Sequence, residues 1–268
     1  MVSLHRRRSC AFVRSINSME PIPSSDLRTL LIVKADRLYA EALRQLTLKV
    51  FPAAHVRLAW SIDSARAALA AEPVQLLVTG IGASLDGDAL DFLALCTGAN
   101  SNARRVLVVT THHELHLLAA LRNLPINGVF DSAVEQPEQF LTAIQTVAQG
   151  NHYWSRSILD RIKIYSAGGS SFSRLLTTSE QLILSVIGGG SDNVAAANEL
   201  GLSPATVSSV RRDLHRKLGV QHRGELMRIA AQTGFVQFTP SGVVRPGFSI
   251  LAAEHLAKKS KREHTPAS

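Results

Sequence analysis

Two cysteines in 268 residues, Cys10 and Cys96, stand far apart with no CxxC spacing, which leaves neither a disulfide framework nor a thiolate metal site. That scarcity fits a reducing cytoplasm. No apolar run approaches the roughly 20 residues that a membrane-spanning helix needs, because charges interrupt them. Chemical motifs are equally sparse. P-loop, GxSxG, HExxH and a spaced carboxylate pair are all missing, and Gly80 and Gly82 do not make a dinucleotide fingerprint. Neither an enzyme nor a cofactor is expected. The opening MVSLHRRRSCAFVRSINS has no acidic residue, but it also lacks the apolar core and cleavage pattern of a secretory signal. Residues 1–26 read as a disordered basic leader, with Met19 an alternative start.

What the chain has instead is aliphatic surface and positive charge. A hydrophobic content of 46% with 5% aromatics suits two ordinary domains. The formal net charge of +8 points to a polyanionic partner, nucleic acid being the commonest. The signal is diffuse, since Arg6, Arg7, Arg8 and Arg14 lie in the leader, and Lys258, Lys259, Lys261 and Arg262 lie near the other end.

From residue 27 to 150 short apolar runs alternate with helix-sized segments. The runs are LLIV (30–33), HVRLA (55–59), VQLLVTG (74–80), RRVLVVTT (104–111) and NGVF (127–130). The near-continuous apolar strands and intervening helices predict an α/β domain with a five-stranded parallel sheet, flavodoxin-like in order 2-1-3-4-5. Residues 151–174 read as a linker, rich in Gly and Ser at Ser166 to Ser171. Short helices then follow over 175–236, an all-α domain. Residues 237–268 form an extension of turns and one amphipathic helix with no legible role.

Within 175–236 the local signals are specific. Thr177 and Glu180 have capping-box spacing before Leu182, Ile183, Val186 and Ile187. A short alanine-rich helix ends at Gly201, and Ser203-Pro204 starts a third, as a cap hydroxyl and a first-turn proline should. On that third helix Val207, Val210, Leu214 and Leu218 make an apolar stripe. Ala205, Ser208, Ser209, Arg212 and Arg216 fall opposite, with Arg211, His215 and Lys217 at the margins. Helix, tight turn and small-then-basic helix is the helix-turn-helix layout, whose second helix enters the major groove.

These residues resemble the LuxR-type (GerE-like) DNA-binding domain from Leu176 to about Val236. The matching pieces are Leu176-Thr177 with Glu180, Gly190, Asn193, Ala197, Leu200-Gly201-Leu202-Ser203, Thr206-Val207 and Arg216-Lys217-Leu218-Gly219-Val220. Ala195, Ala196 and Val210 depart from the family pattern. The resemblance implies that Ser208, Ser209 and Arg212 face base edges, that Thr206, Arg211, Arg216 and Lys217 lie nearer phosphates, and that Arg223 to Gln232 is a dimer contact. Double-stranded DNA and a second copy of the chain are the implied partners.

An α/β domain joined to such a module resembles response regulators of the NarL/FixJ type, and the first domain then resembles a receiver. Members of that family phosphorylate an aspartate at the tip of strand 3, hold magnesium on an acidic pair after strand 1, and use a Ser/Thr after strand 4 and a lysine after strand 5. Here Thr79 stands at the acceptor position beside Gly80, Lys34 and Ala35 replace the acidic pair, and Ser132 replaces the lysine. Only Thr110 is retained. Lys34 is read either as a fixed mimic of the metal or as a plain surface lysine, with Asp131 a conceivable partner. His112 and His116 could share a helix face, but no third ligand has metal-binding spacing, so no metal is expected. The expected protein is a cytoplasmic bacterial transcription regulator, on the nucleoid when bound to DNA, whose pseudo-receiver works without aspartyl phosphorylation. Its input would be a small molecule, a protein partner, dimerisation through helix 4, strand 5 and helix 5, or abundance. The alternative is an interaction protein whose helix-turn-helix no longer binds DNA.

Overall fold

The structure is a computed structural model that describes residues 27–82, 86–97, 101–167 and 175–263. The leader 1–26 and the Gly/Ser-rich part of the expected linker lie outside the described residues. The first unit is built from strands β1 (Thr29–Val33), β2 (His55–Ala59), β3 (Leu76–Thr79), β4 (Val106–Thr110), β5 (Gly128–Asp131) and β6 (Tyr153–Trp154). They form one parallel sheet in the order β2-β1-β3-β4-β5-β6. Helices α1 (Arg37–Val50), α2 (Ile62–Ala71), α3 (Ala89–Cys96), α4 (Leu115–Asn123) and α5 (Pro137–Ala148) supply the crossovers.

Alternate residues of each strand serve opposite faces, as the pleat requires. Leu31, Val33, Leu77 and Val108 pack with α2, α3 and α4, whereas Leu30, Ile32, Val78 and Val109 pack with α1 and α5. Both sides of the sheet are thereby buried, and near-continuous aliphatic strands are the sequence that such burial selects.

The sheet differs from expectation at its far edge. Residues 151–167, read as the start of a linker, fold instead as β6 and a helix α6 (Arg156–Ala167). Two residues of strand are too short to show a period. Polar and apolar residues are mixed along the helix, and its buried Ile158, with Ile162, joins the core beneath α4. Because β6 takes the free edge of β5 and α6 packs on α4 and β5, this chain covers part of the helix 4, strand 5 and helix 5 face that is one of the alternative inputs, as a dimer contact.

The second unit contains α7 (Thr178–Gly188), α8 (Asn193–Leu200), α9 (Pro204–Leu218) and α10 (Arg223–Gln232) around a core of Ile183, Leu184, Val186, Ala197, Val207 and Leu214. The extension is ordered through residue 263: Phe238 and Val243 pair across a hairpin of β7 (Gln237–Thr239) and β8 (Gly242–Val244), followed by α11 (Phe248–Glu263). Among the described residues no helix is long and apolar enough to cross a membrane. Since Ile158 is fully buried, Ile158→Ala is expected to destabilise the α/β unit by about 1–4 kcal/mol; a denaturation midpoint equal to wild type would return α6 to the status of a linker.

Candidate nucleic-acid interface and the strand-tip pocket

Three caps fix α8 and the start of α9. Asp192 accepts the Ala195 amide at 2.7 Å to start α8, Gly201 closes it in the left-handed region at φ 63°, and the Ser203 hydroxyl accepts the Thr206 amide at 3.0 Å to start α9. Glycine is the residue that takes that φ without strain. Val207 and Leu214 are fully buried, and Val210 and Leu218 pack half-buried beside them. That stripe turns the opposite side of α9 outward: Ala205, Thr206, Ser209, Arg212 and Arg216 are exposed, and Ser208 and Arg211 are half-exposed.

The charges on this face are not equivalent. Among the described residues Arg211 and Arg212 have no ion-pair partner, while Arg216 reaches back 2.8 Å to Asp213 on the surface, a contact worth little in water. Lys217 lies elsewhere than expected. Its ammonium donates to Glu180 Oε2 at 2.8 Å and to the Leu175 carbonyl at 3.2 Å, tying the end of α9 to the first turn of α7. Burial alone would raise the Glu180 carboxyl, but hydrogen bonds from Lys217 and from the Thr177 amide and hydroxyl outweigh it and hold the group below its ordinary value. Lys217 is therefore a brace of the domain. The spacing could not show this, because the partner lies 37 residues away.

Residues 174–230 match the model of the bacterial regulatory proteins of the luxR family. This segment is a LuxR-type helix-turn-helix domain. Beyond it the likeness thins. The chain is 33% identical over 99 residues to the transcriptional regulatory protein MctR of Rhizobium johnstonii, a stretch covering 37% of this chain and 45% of MctR. It is 28% identical over 134 residues to the transcriptional regulatory protein YdfI of Bacillus subtilis, covering 49% of this chain and 62% of YdfI. The matches thus span about half the length of these relatives. For the fold, RcsB of Salmonella enterica serovar Typhimurium, solved bound to promoter P1flhDC, superposes with a TM-score of 0.53 at 18% identity, over 77% of this chain and 98% of that one. The architecture is that of a receiver-like α/β domain followed by a LuxR-type domain.

At the strand tips of the receiver-like domain lies a cavity of about 210 Å³, lined by Lys34, Ala35, Tyr39, Gly80 and Thr110 among others. Of the five residues named there from the sequence, Lys34, Ala35 and Thr110 line it, and Thr79 and Ser132 do not. Lys34 extends from the end of β1, donates to the Val109 carbonyl at 3.0 Å, and sits 4.7 Å from the centre of the Tyr39 ring. Gly80 makes room for it, since a Cβ there would come within 3.1 Å of the ammonium. Thr110 accepts the His112 amide at 2.8 Å, and the Ser132 hydroxyl donates to the Thr110 carbonyl at 3.2 Å. Thr79 is fully buried, and its hydroxyl donates to the Gly80 carbonyl at 3.1 Å with no base beside it among the described residues.

No carboxylate in this pocket is arranged to hold a metal. Asp36 lines it, but caps α1 by accepting the Tyr39 amide at 2.9 Å. Asp131, the partner considered for Lys34, is buried at the end of β5 and accepts from Ser157 at 2.5 Å, with His113 Nε2 at 2.8 Å; β3 and β4 stand between it and β1. The pair does not form. His112 lies against Glu114 at 3.0 Å and His116 points into a different seam, so the two do not share a ligand position. Among the described residues no cluster of three or more His, Cys, Asp or Glu could hold a metal.

Burial pushes the Lys34 ammonium down to about 8, with Asp36 opposing. The sign follows from proton binding. Between about 8 and the ordinary lysine value the unfolded chain is protonated and the folded one is not, so stability rises with pH across that window and carries a constant penalty below it. At 1.36 kcal/mol per unit, the penalty at neutral pH is on the order of 3 kcal/mol, partly offset by the Val109 and Tyr39 contacts. Lys34→Met is therefore expected to raise the melting temperature at pH 7 and to flatten the alkaline rise relative to wild type. Lys217→Ala is expected to destabilise the LuxR-type domain by about 1–3 kcal/mol by leaving Glu180 without its cation; calorimetry of both variants reads these shifts, and unchanged transitions would contradict them.

Proposed function

We propose that this protein is a sequence-specific DNA-binding transcription regulator whose receiver-like domain works without aspartyl phosphorylation. The observation that carries the first part is the open face of α9, where Ser209 and Arg212 are exposed on a helix whose opposite stripe is locked in the core. In this reading Arg212 makes the specific contact, since a guanidinium can pair bidentately with guanine. Ser208 and Ser209 read adjoining base edges. Thr206, Arg211 and Arg216 meet phosphates, and Arg216 exchanges its Asp213 partner for the backbone. Lys217 supports the domain rather than touching DNA.

The second part is supported by what occupies the acceptor pocket. A buried threonine, a half-buried lysine and a capping aspartate offer no carboxylate nucleophile and no metal pair, and a threonine hydroxyl without a base is a weak nucleophile. Input through a small effector or a protein partner takes the place of phosphate. Few phosphate contacts per copy favour binding as a homodimer on repeated half-sites, and the exposed side of α10, with Arg223, Arg228 and Gln232, is the available contact. The departures from the family pattern lie off the open face of α9: Ala195 is exposed on α8, Ala196 is buried in the core and Val210 packs against it.

Arg212→Ala is expected to cost about 1–3 kcal/mol on the preferred site and relax its sequence, while Arg216→Ala weakens all sequences alike and lowers the salt slope by about 1. Fluorescence anisotropy on matched duplexes at several salt concentrations checks both. Wild-type behaviour in both variants would remove α9 from the groove.

A further inference from the structure

The extension carries the sequence Arg245-Pro246-Gly247-Phe248, and each of these residues joins two parts of the molecule. Arg245 pairs with Glu199 of α8, and its guanidinium carbon lies 5.5 Å from the centre of the Phe248 ring, which packs on the core of the LuxR-type domain. The Pro246 carbonyl accepts from His116 Nε2 of α4 at 2.8 Å. The Gly247 amide donates to Asp88 Oδ2 at 2.6 Å, while Asp88 Oδ1 accepts the Leu90 and Asp91 amides and caps α3. Gly247 adopts φ +71°, and a Cβ there would stand 3.4 Å from Leu90 and 3.7 Å from His116 Nε2. No side chain is easily accommodated.

Further contacts surround this segment. His116 stacks on Phe235 with ring centres 4.2 Å apart, and its amide donates to the Thr233 carbonyl at 2.9 Å. Burial holds the His116 imidazole below its ordinary value, so a neutral ring donating from Nε2 fits the Pro246 carbonyl. One turn into α11, Ile250 packs on the core of the α/β domain and Leu251 on that of the LuxR-type domain. These contacts involve α3, α4, α7, α8, the end of α10 and the extension, and the outward face of α9 takes no part in them.

We propose that residues 245–248 are an intramolecular plug. They occupy a site on the receiver-like domain, formed by Asp88, Leu90 and His116, that takes a proline-glycine turn of this chain, and the plugged form is the form that binds DNA. The second clause rests on the DNA-binding reading above. The plug also places the seam beside the strand-tip pocket: Gly82 and His112 line both that pocket and a groove of about 560 Å³ that ends on Val236, Phe238 and Pro240.

The test uses the full chain and two variants, one from each side of the seam. Asp88→Asn keeps a residue that caps helices well but turns a donor toward the Gly247 amide; Gly247→Val puts a branched side chain at a positive φ. Small-angle scattering without DNA reads domain separation, circular dichroism reports that both domains stay folded, and anisotropy reads duplex affinity. The radius of gyration is expected to rise in both variants, with affinity falling by more than about twofold. An unchanged radius in both would overturn the plug. A larger radius with affinity within about twofold of wild type, or raised, would overturn the second clause. If no protein binds any duplex, the DNA-binding reading fails while scattering still decides the plug.

Discussion

The burial of Val207 and Leu214 against α7 is the constraint from which the rest follows. An amphipathic helix has one free rotation about its axis, and a well-packed core removes it. Once those two side chains are inside, Ser209 and Arg212 have nowhere to point but out. Lys217 bonding to Glu180 fixes the far end of the same helix to the capping box of α7, so the electrostatics and the packing specify one orientation. A groove-reading helix needs that rigidity, because a side chain displaced by a fraction of its length loses its hydrogen-bond geometry.

The receiver-like domain shows the converse, a fold that its strand-tip residues do not dictate. The parallel sheet needs only aliphatic strands and crossover helices, and these are present. The strand tips carry no such structural demand, and Lys34 and Thr79 stand there. Burying an unpaired ammonium costs stability, which a protein tolerates only where the surroundings over-determine the fold. The cost at Lys34 is set against one carbonyl, one ring and the space left by Gly80. The cation makes the pocket electrostatically opposite to a magnesium site.

Much of this was legible in the sequence because it is local. Strand runs, the Thr177–Glu180 capping box, the Ser203-Pro204 helix start and the α9 stripe all depend on spacings of a few residues, and they stand where the spacing put them. What escaped is long-range or below the length at which a period shows. β6 has two residues, and among the described side chains of α6 one aliphatic, Ile158, is fully buried. Lys217 was placed on the margin of the basic face because its carboxylate partner belongs to another helix. The Arg-Pro-Gly-Phe segment did read as a turn, but its partners Asp88 and His116 lie more than 120 residues away, at 159 and 130 residues respectively.

The most direct test of the central claim, DNA reading by a protein with a silent acceptor pocket, is selection of genomic fragments by the purified chain with and without acetyl phosphate and magnesium. One recurring half-site, recovered equally in both arms, is the predicted result. Recovery only with the phosphodonor, or of no site in either arm, would contradict it.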